Sequence, residues 1–325
     1  MHLLTFTFKR LLSAVPLLFG LVTLVFFLAR LLPGDATTLF LSPQIPQGVL
    51  EQLRIEFGLD RPLGDQYVLW LREAFRGNLG YSFSQGTAVS EVLARVFPNT
   101  VLLAGSAIVF EICVGVGLAA FIFLFDGKGA EKGLAHLLVI SSTIPPFWVG
   151  MLLLMVFSFL LRILPSSHMY SSGAGSGEGR IADLASHLIL PALTLAIPAA
   201  AGFARYLRTS VKTVISQDYV LVAQSMGLSK SKVFRSYILP NAVSPMISLL
   251  GVEIGVLMGG VIVTETLFAW PGMGRLTINA IASRDYPLII GCTIVAGVVV
   301  IVGTFVADLV NAILDPRIRY TWGNK

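Results

Sequence analysis

Two carboxylates lie deep within long apolar stretches of the sequence. Glu111 falls inside the run Val101–Phe125, and Glu253 falls inside the run Ala242–Thr264 with a glycine two residues away on either side. An ionisable side chain in the hydrocarbon region of a bilayer is costly, so it usually faces water or a partner and marks a functional position. We therefore expect both residues to lie on a translocation pathway or at an interface. The alternative for each is a structural role, satisfied by an interhelical hydrogen bond.

The other reactive residue types do not form the pattern of a catalytic or metal site. The four histidines have no ligand-like spacing, and the two cysteines fall inside apolar runs, where they are small core residues rather than a disulfide framework. The Gly-Ser-rich stretch 171–179 lacks a preceding strand and a following Gly-Lys-Ser/Thr, so it is a linker and not a phosphate loop. We expect no catalytic residue, metal or cofactor in this chain, and any ATP and Mg to bind on another subunit.

Composition places the chain among integral membrane proteins. Of its 325 residues, 55% are hydrophobic and 13% are charged, and the mean hydropathy is +0.81. Six apolar runs are each close to the roughly 20 residues that span a bilayer as a helix. They are Leu11–Ala29, Val101–Phe125, Leu137–Leu161, Leu188–Ala204, Ala242–Thr264 and Leu288–Ala307. The sequence predicts an all-α, polytopic membrane protein with six transmembrane helices, the fourth kinked by its two prolines.

The distribution of basic residues predicts the orientation of these spans. Lys9-Arg10 precedes an apolar run that is too long for a signal peptide and lacks a cleavage site, so we predict a retained first helix. All lysines lie near the two termini or in the loops 126–133 and 205–241, which an even number of spans places on one side. The positive-inside rule makes this side cytoplasmic, with both termini on it. The net charge of +5 is thus a topology signal and not a nucleic-acid-binding signal.

The runs divide the chain into three parts. Residues 1–32 form an N-terminal transmembrane helix, residues 33–99 a periplasmic cap segment, and residues 100–325 a core with five spans and the cytoplasmic loop 205–241. Within the cap, Val49–Phe57 and Leu63–Phe75 have the apolar spacing of short amphipathic helices that lie along a membrane surface. A structural role for the cap and a role in contacting substrate or a binding protein both stay open.

The stretch Asp218–Pro245 has the pattern of two short helices joined by a glycine turn. Gly227 is placed to end a helix that begins near Thr213, Ser229 is placed to cap a second helix, and Pro240 marks a boundary. Small residues around the turn allow close approach of another protein, while lysines and an arginine keep the flank charged. We interpret the stretch as a docking element.

This stretch resembles the cytoplasmic loop of bacterial ABC importer permeases. The family pattern is Glu-Ala-Ala, three residues, Gly, nine residues, then Ile-x-Leu-Pro. Gly227 takes the place of the Gly, the nine residues follow, and Leu239-Pro240 close the motif, with Tyr237 in place of Ile. The spacing therefore matches throughout the motif.

The opening of the motif is degenerate, in the manner of the dipeptide, oligopeptide and nickel subfamily. Leu221 and Val222 replace Glu and the first Ala, and only Ala223 is kept. Further phrases that resemble this subfamily lie at 32–35, 58–63, 77–82, 265–275, 284–287 and 315–319. The resemblance thus extends over nearly the whole chain.

The resemblance implies one permease subunit of a type I importer fold in the bacterial cytoplasmic (inner) membrane. The implied partners are a second homologous permease, two ABC ATPase subunits, and a periplasmic or lipid-anchored solute-binding protein. The implied ATPase-coupling residues are Leu221, Val222, Ala223, Gly227, Leu228, Ser229, Leu239 and Pro240. The implied function is ATP-driven import of peptides or related small solutes, with the exact solute left open among peptides, nickel complexes, glutathione-like compounds and sugars.

Two functions of other protein classes remain as alternatives to the ABC importer. A proton-coupled secondary transporter would use Glu111 and Glu253 as proton carriers, and a polytopic membrane enzyme would need facing polar residues within the spans. No internal repeat is visible in the sequence, and a docking loop has no use in a proton-coupled carrier, so the importer is favoured.

Overall fold

The computed structural model describes residues 3–31, 61–125, 129–173 and 177–314. Within these ranges the regular secondary structure is helical except for a short hairpin in which β1 (Tyr81–Ser82) pairs antiparallel with β2 (Thr87–Ala88), and turns and irregular segments join the helices. The longer helices are α1 (Leu3–Leu31), α2 (Leu63–Phe75), α3 (Val89–Leu124), α4 (Gly129–Ser141), α6 (Glu178–Ile215), α10 (Ser244–Leu267), α11 (Met273–Ala282) and α12 (Tyr286–Leu314). The shorter ones are α5 (Pro146–Leu153), α7 (Asp218–Ser225), α8 (Lys230–Val233) and α9 (Leu239–Ala242), with π-helical turns at Leu154–Leu160 and Phe234–Ile238.

All six predicted apolar runs fall on these helices, as expected for backbone that must satisfy its own hydrogen bonds in lipid. Judged by length and hydropathy alone, three helices in the described residues can cross a membrane, and they lie within α3, α6 and α12. A fourth crossing results if the bent pair α4–α5 counts as one span. The first and fifth predicted runs lie in α1 and mainly in α10. The prediction of an all-α membrane protein is confirmed.

The third predicted span is not one continuous helix. Its two halves, Gly133–Ser141 and Pro146–Leu160, are bent by 104° at the break between them. Pro145 and Pro146 donate no backbone N–H group, and each disfavours the helical conformation in the residue before it. The α5 helix starts afresh where the carbonyl of Pro145 accepts a hydrogen bond from the Trp148 amide at 3.0 Å. The expectation of a single helix over Leu137–Leu161 is therefore corrected to a broken pair.

The centre of the fold is the pair α3 and α6, which pack along each other. A Cβ atom at Gly115 would lie 2.7 Å from Phe203 Cδ1 and 3.3 Å from the Ala200 carbonyl oxygen, so only glycine permits this approach. The α6 helix is longer than the predicted fourth span, and it runs unbroken through Pro191 and Pro198. Its length lets it reach from the apolar core to the loop that follows it.

A second pair, α10 and α12, packs beside the first, and α1 lies against α12. The predicted amphipathic helix Leu63–Phe75 is confirmed as α2, which leans on α1 through Tyr67, whose hydroxyl shares a hydrogen bond of 2.6 Å with Thr23. The Trp70 ring lies 5.4 Å from that of Phe26. The predicted cap helix Val49–Phe57 and the phrase at 32–35 lie outside the described residues.

Candidate functional site

The residues Asp218–Ala242 form a compact unit at one end of the bundle, which we call the loop element. It consists of α7, a turn, α8, a π-helical turn and α9. The predicted helix from Thr213 to Met226 is in fact two helices, because α6 ends at Ile215 and α7 begins at Asp218. The end of the bundle that carries the loop element is called the loop end below. The opposite end, with the β1–β2 hairpin and α11, is called the hairpin end.

One face of the loop element is packed into the core. Val220 and Ala223 of α7 are buried with Val233, Phe234 and Ile238 against the α6 residues Leu207, Val211 and Val214. The Phe234 ring stacks on that of Phe123, near the end of α3, with centroids 5.1 Å apart. The Ser210 hydroxyl of α6 donates to the Ala242 carbonyl at 2.8 Å. These contacts fix the loop element to α3 and α6.

The other face is apolar and uncovered. The side chains of Leu221, Val222 and Met226 are 51%, 57% and 73% exposed, and Tyr219 beside them is 42% exposed. Tyr219, Val222 and Met226 are three and four residues apart, so they share one helix face. Large apolar side chains grouped in a polar loop are typical of an interaction surface.

The turn between the two helices has the geometry that its sequence predicts. Gly227 has a φ of +76°, a conformation that favours glycine, and no atom lies within 4 Å of the position that a Cβ would take. Ser229 caps α8 by accepting a hydrogen bond from the Lys232 amide at 3.4 Å. Both predictions, a glycine turn and a serine cap, are confirmed.

The structure separates the eight predicted coupling residues into two groups. Leu221, Val222, Gly227, Ser229 and Pro240 are exposed, whereas Ala223 is buried and Leu228 and Leu239 are half-buried against the same core. Ala223 is buried in the same cluster as the α6 residues Leu207, Val211 and Val214. Tyr219 and Met226 were not among the predicted residues, although their helical spacing with Val222 would have placed them on the exposed face. The predicted boundary at Pro240 is corrected, since helical backbone continues through it from the preceding π-helical turn.

The two deep carboxylates are brought together. Glu111 of α3 is 1% exposed, and it faces Glu253 of α10 closely enough for the carboxyl groups to interact. Sequence reasoning marked each residue separately but gave no reason to pair them. Among the described residues, no three His, Cys, Asp or Glu side chains come together as a metal site.

The hairpin end contains two further buried carboxylates that sequence reasoning missed. Glu265 Oε1 accepts from the Thr100 hydroxyl at 2.7 Å and Oε2 from the Arg275 amide at 3.0 Å, while the Met273 amide donates to Thr100 Oγ1 at 2.7 Å. A Cβ at Gly272 would collide with the Glu265 carboxylate. This network ties the start of α11 to α3 and α10.

The second carboxylate, Asp285, joins the hairpin to α12. Its Oδ2 atom accepts from the Ser82 hydroxyl at 2.7 Å, the Ser84 amide at 2.9 Å and the Ser84 hydroxyl at 2.8 Å. Its Oδ1 atom accepts from the Leu288 amide at 3.3 Å, which caps the first turn of α12. Both Glu265 and Asp285 lie between the predicted apolar runs Ala242–Thr264 and Leu288–Ala307, which is why the search for carboxylates within the runs did not find them.

Two aromatic side chains in the turn after α10 are also buried. Phe268 and Trp270 are fully enclosed, and the Trp270 indole N–H donates to the Asn99 carbonyl at 3.0 Å. The Asn99 amide in turn donates to the Pro271 carbonyl at 2.8 Å. The chain folds back after α10, which turns these rings inward.

Two family patterns together match almost the whole chain. The family described as "Binding-protein-dependent transport system inner membrane component" matches residues 111–320, which include both deep glutamates and the loop element. The chain belongs to this family. A second pattern, the N-terminal part of the same kind of transport system membrane component, matches residues 3–104.

Curated relatives of this permease agree with the assignment over their full length. It is 35% identical to the oligopeptide transport system permease protein AppB of Bacillus subtilis, with 96% of this chain and 98% of the relative covered. It is 33% identical to the glutathione transport system permease protein GsiC of Escherichia coli K12, with 98% of this chain and all of the relative covered. The resemblance that the loop motif predicts is confirmed, and the permease is a translocation subunit of an ABC importer of the peptide and nickel type. The secondary-transporter and enzyme alternatives are not favoured.

Proposed function

We propose that this permease imports peptides or related small solutes together with a second homologous permease, two ABC ATPase subunits and a solute-binding protein. It lies in the bacterial cytoplasmic membrane with both termini and the loop element on the cytoplasmic side. The ATPases hold the ATP and Mg, and this chain holds no cofactor of its own. The observation that carries the proposal is the exposed apolar face of α7 on a loop element whose other face is packed into the core.

The exposed face supplies the docking surface. Burial of apolar side chains against a partner is favourable by about 25 cal/mol per Å² removed from water. Met226, Val222 and Leu221 would enter a groove of one ATPase, and the open flank of Gly227 lets the partner approach the backbone. Lys230 and Lys232 stay at the wet margin of the contact.

The packed face transmits movement. A push on α7 reaches α6 through Val220 and reaches α3 through the stacked rings of Phe234 and Phe123. Tightly packed interfaces move as rigid bodies between discrete arrangements. Closure of the ATPases would in this way rock the helices of the permease between outward-facing and inward-facing states.

The solute class rests on the relatives. AppB and GsiC are named for oligopeptide and glutathione transport, and both are covered almost completely by this chain. Glutathione is itself a small peptide-like compound, so the shared chemistry is a short chain with amide groups and free carboxylates. A binding protein would select among such solutes before they reach the permease.

The first experiment replaces Gly227 with Asp and, as a matched control, with Asn. Both side chains meet the same positive φ, which Asn and Asp tolerate better than other residues, so the strain is nearly equal. Only Asp adds a charge, which must be buried when a partner closes over the turn. We expect Gly227→Asp to reduce ATPase co-purification or solute uptake at least tenfold, while Gly227→Asn keeps most of both. Normal association and normal uptake with Asp would show that the loop element does not couple to the ATPases.

The second experiment tests the orientation with single cysteines in a background without Cys113 and Cys292. Cysteine at Gln85 should react with a membrane-impermeant maleimide in cells whose outer membrane is permeabilised, whereas cysteine at Ser231 should react only after cell lysis. Gln85 is preferable to the neighbouring Ser84, since both the amide and the hydroxyl of Ser84 bond to Asp285. The reverse labelling pattern would invert the proposed topology.

A further inference from the structure

The two deep carboxylates face each other with no donor between them. In the described part of the chain, neither side-chain oxygen of Glu111 receives a hydrogen bond from an N–H or O–H group, although the residue is 1% exposed. Its neighbour is the Glu253 carboxyl group, which is also an acceptor when it is ionised. Buried polar groups in folded proteins are almost always paired, so this arrangement requires an explanation.

In the described residues, no charged group on the surrounding helices pairs with either carboxyl group. The part of α6 that packs beside α3 near this level, from Ala196 to Ala204, has no ionisable side chain, and Arg205 and Arg208 follow toward the loop end. On α12, Asp308 adjoins Ala307, which packs on Gly251 of α10. On α11, Arg275 donates to the Ala269 carbonyl. The interactions found for Glu111 and Glu253 are with each other and with none of these groups.

Two ionised carboxylates in contact would repel each other strongly in a medium of low dielectric constant. One proton changes the contact into an O–H···O⁻ hydrogen bond, which belongs to the short and strong class. We propose that Glu111 and Glu253 share a single proton, and that the resulting hydrogen bond ties α3 to α10 within the membrane. The proton is held in place and is not a transported ion.

The position of this bond gives it a part in the transport cycle. The α3 helix packs along α6, which leads directly into the loop element, whereas α10 packs along α12. A displacement of one helix pair relative to the other changes the separation of the two carboxyl groups. The shared-proton bond therefore favours the arrangement described here and weakens when the pairs move apart.

Infrared spectroscopy of the assembled transporter in lipid nanodiscs tests the shared proton directly. A neutral carboxyl group gives a C=O stretching band that an ionised carboxylate lacks, and its frequency depends on the hydrogen-bond partner. We expect Glu111→Gln to remove one such band, and Glu253→Gln to remove or shift the same band although the first carboxyl is untouched. A band that Glu253→Gln leaves unchanged, or the absence of any band that depends on Glu111, would overturn the proposal.

Uptake measurements with reconstituted transporter test the tie between the helices. Gln can donate to the remaining carboxylate, whereas Leu leaves that carboxylate against an apolar side chain. We expect Glu111→Gln to keep most of the uptake rate and Glu111→Leu to lower it roughly tenfold, the equivalent of one lost hydrogen bond to a charged group. Equal uptake by the Gln and Leu variants would show that the bond does not tie the helices.

This inference rests on the proposed transport function only for the uptake measurement. The infrared band is independent of transport, and ATPase co-purification should be normal in all of these variants because the loop element is unchanged. Failure of the proposed coupling would appear in the Gly227 variants, and failure of the shared proton would appear in the infrared spectra.

Discussion

The two ends of the α3 helix differ in how they dispose of their polar and apolar groups. At the hairpin end, the carboxylates of Glu265 and Asp285 are buried and each oxygen accepts at least one hydrogen bond, and the rings of Phe268 and Trp270 are enclosed. At the loop end, large apolar side chains of α7 remain exposed although their helix is firmly packed on its other face. Among the described residues, the buried carboxylates of the hairpin end are hydrogen-bonded within this chain, whereas the loop end presents an apolar surface that a partner can cover.

This difference implies that the hairpin end contributes mainly to the stability of the permease, and the loop end mainly to its association with a partner. Groups at the hairpin end interact with each other across α3, α10, α11 and α12, so their loss should destabilise the hairpin end of the permease. Groups on the exposed face of α7 interact with little in this chain, so their loss should leave the fold intact and affect only association. Mutations at the two ends should therefore have opposite profiles of stability and partner binding.

The largest effect is expected at Asp285. Replacing it with Ala removes the acceptor for Ser82 and Ser84 and the cap of α12, and it leaves two buried donors, the Ser82 hydroxyl and the Leu288 amide, without a partner. Each such donor costs on the order of 1–3 kcal/mol, so we expect a loss of about 3 kcal/mol or more and a clearly lower Tm of the purified permease. Fluorescence-detected thermal unfolding in detergent measures the change.

The matched control for this prediction is Asp285→Asn. Asn has the same size and can still cap α12 with its carbonyl oxygen, but its amide nitrogen, which is only a donor, then accepts none of the three bonds that reach Oδ2 in the unmodified protein. Its Tm should lie between those of the Ala variant and the unmodified protein. An Ala variant as stable as the unmodified protein would contradict the view that the hairpin end is held by this carboxylate.

Much of this contrast was accessible from the sequence. Long apolar runs predict membrane helices because lipid offers the backbone no other partner, and Gly227 and Ser229 predict a turn and a cap from local chemistry alone. The broken third span was missed because the run Leu137–Leu161 has the length and the overall hydropathy of one span, although Ser141-Ser142-Thr143 and two prolines interrupt it. Pro145-Pro146 was the available signal.

The pairings between distant residues could not be predicted in this way. Glu111 and Glu253 are far apart in sequence, and nothing local indicates that α3 and α10 place them face to face. The burial of Trp270 likewise depends on Asn99, whose carbonyl accepts from the indole N–H. Such contacts result from how helices pack, which a single sequence does not encode in any short pattern.

An effect of intermediate size is expected at Met226, which follows α7 directly and extends its exposed apolar face. Met226→Gln keeps the length of the side chain but removes most of its apolar surface. We expect ATPase binding to weaken by about 1 kcal/mol, roughly fivefold in Kd, with the Tm of the free permease nearly unchanged. Binding of purified ATPase to permease in nanodiscs gives the Kd. Gln224→Ala, an exposed polar change on the same helix, should leave it unaltered; equal weakening by both would mean that the apolar face is not the contact.

The smallest effect is expected at Ser229, the cap of α8. Loss of a helix cap typically costs about 1 kcal/mol, and the 3.4 Å bond to the Lys232 amide is longer than most, so Ser229→Ala should cost about 0.5 kcal/mol. Hydrogen exchange at residues 230–233 should accelerate about twofold, with no change in exchange at the hairpin end. Ser231→Ala is the control, since this neighbouring serine is not the cap. A much larger acceleration would mean that the cap holds the loop element in place, whereas a small one agrees with a loop element held by Val220, Val233 and Phe234 in the core.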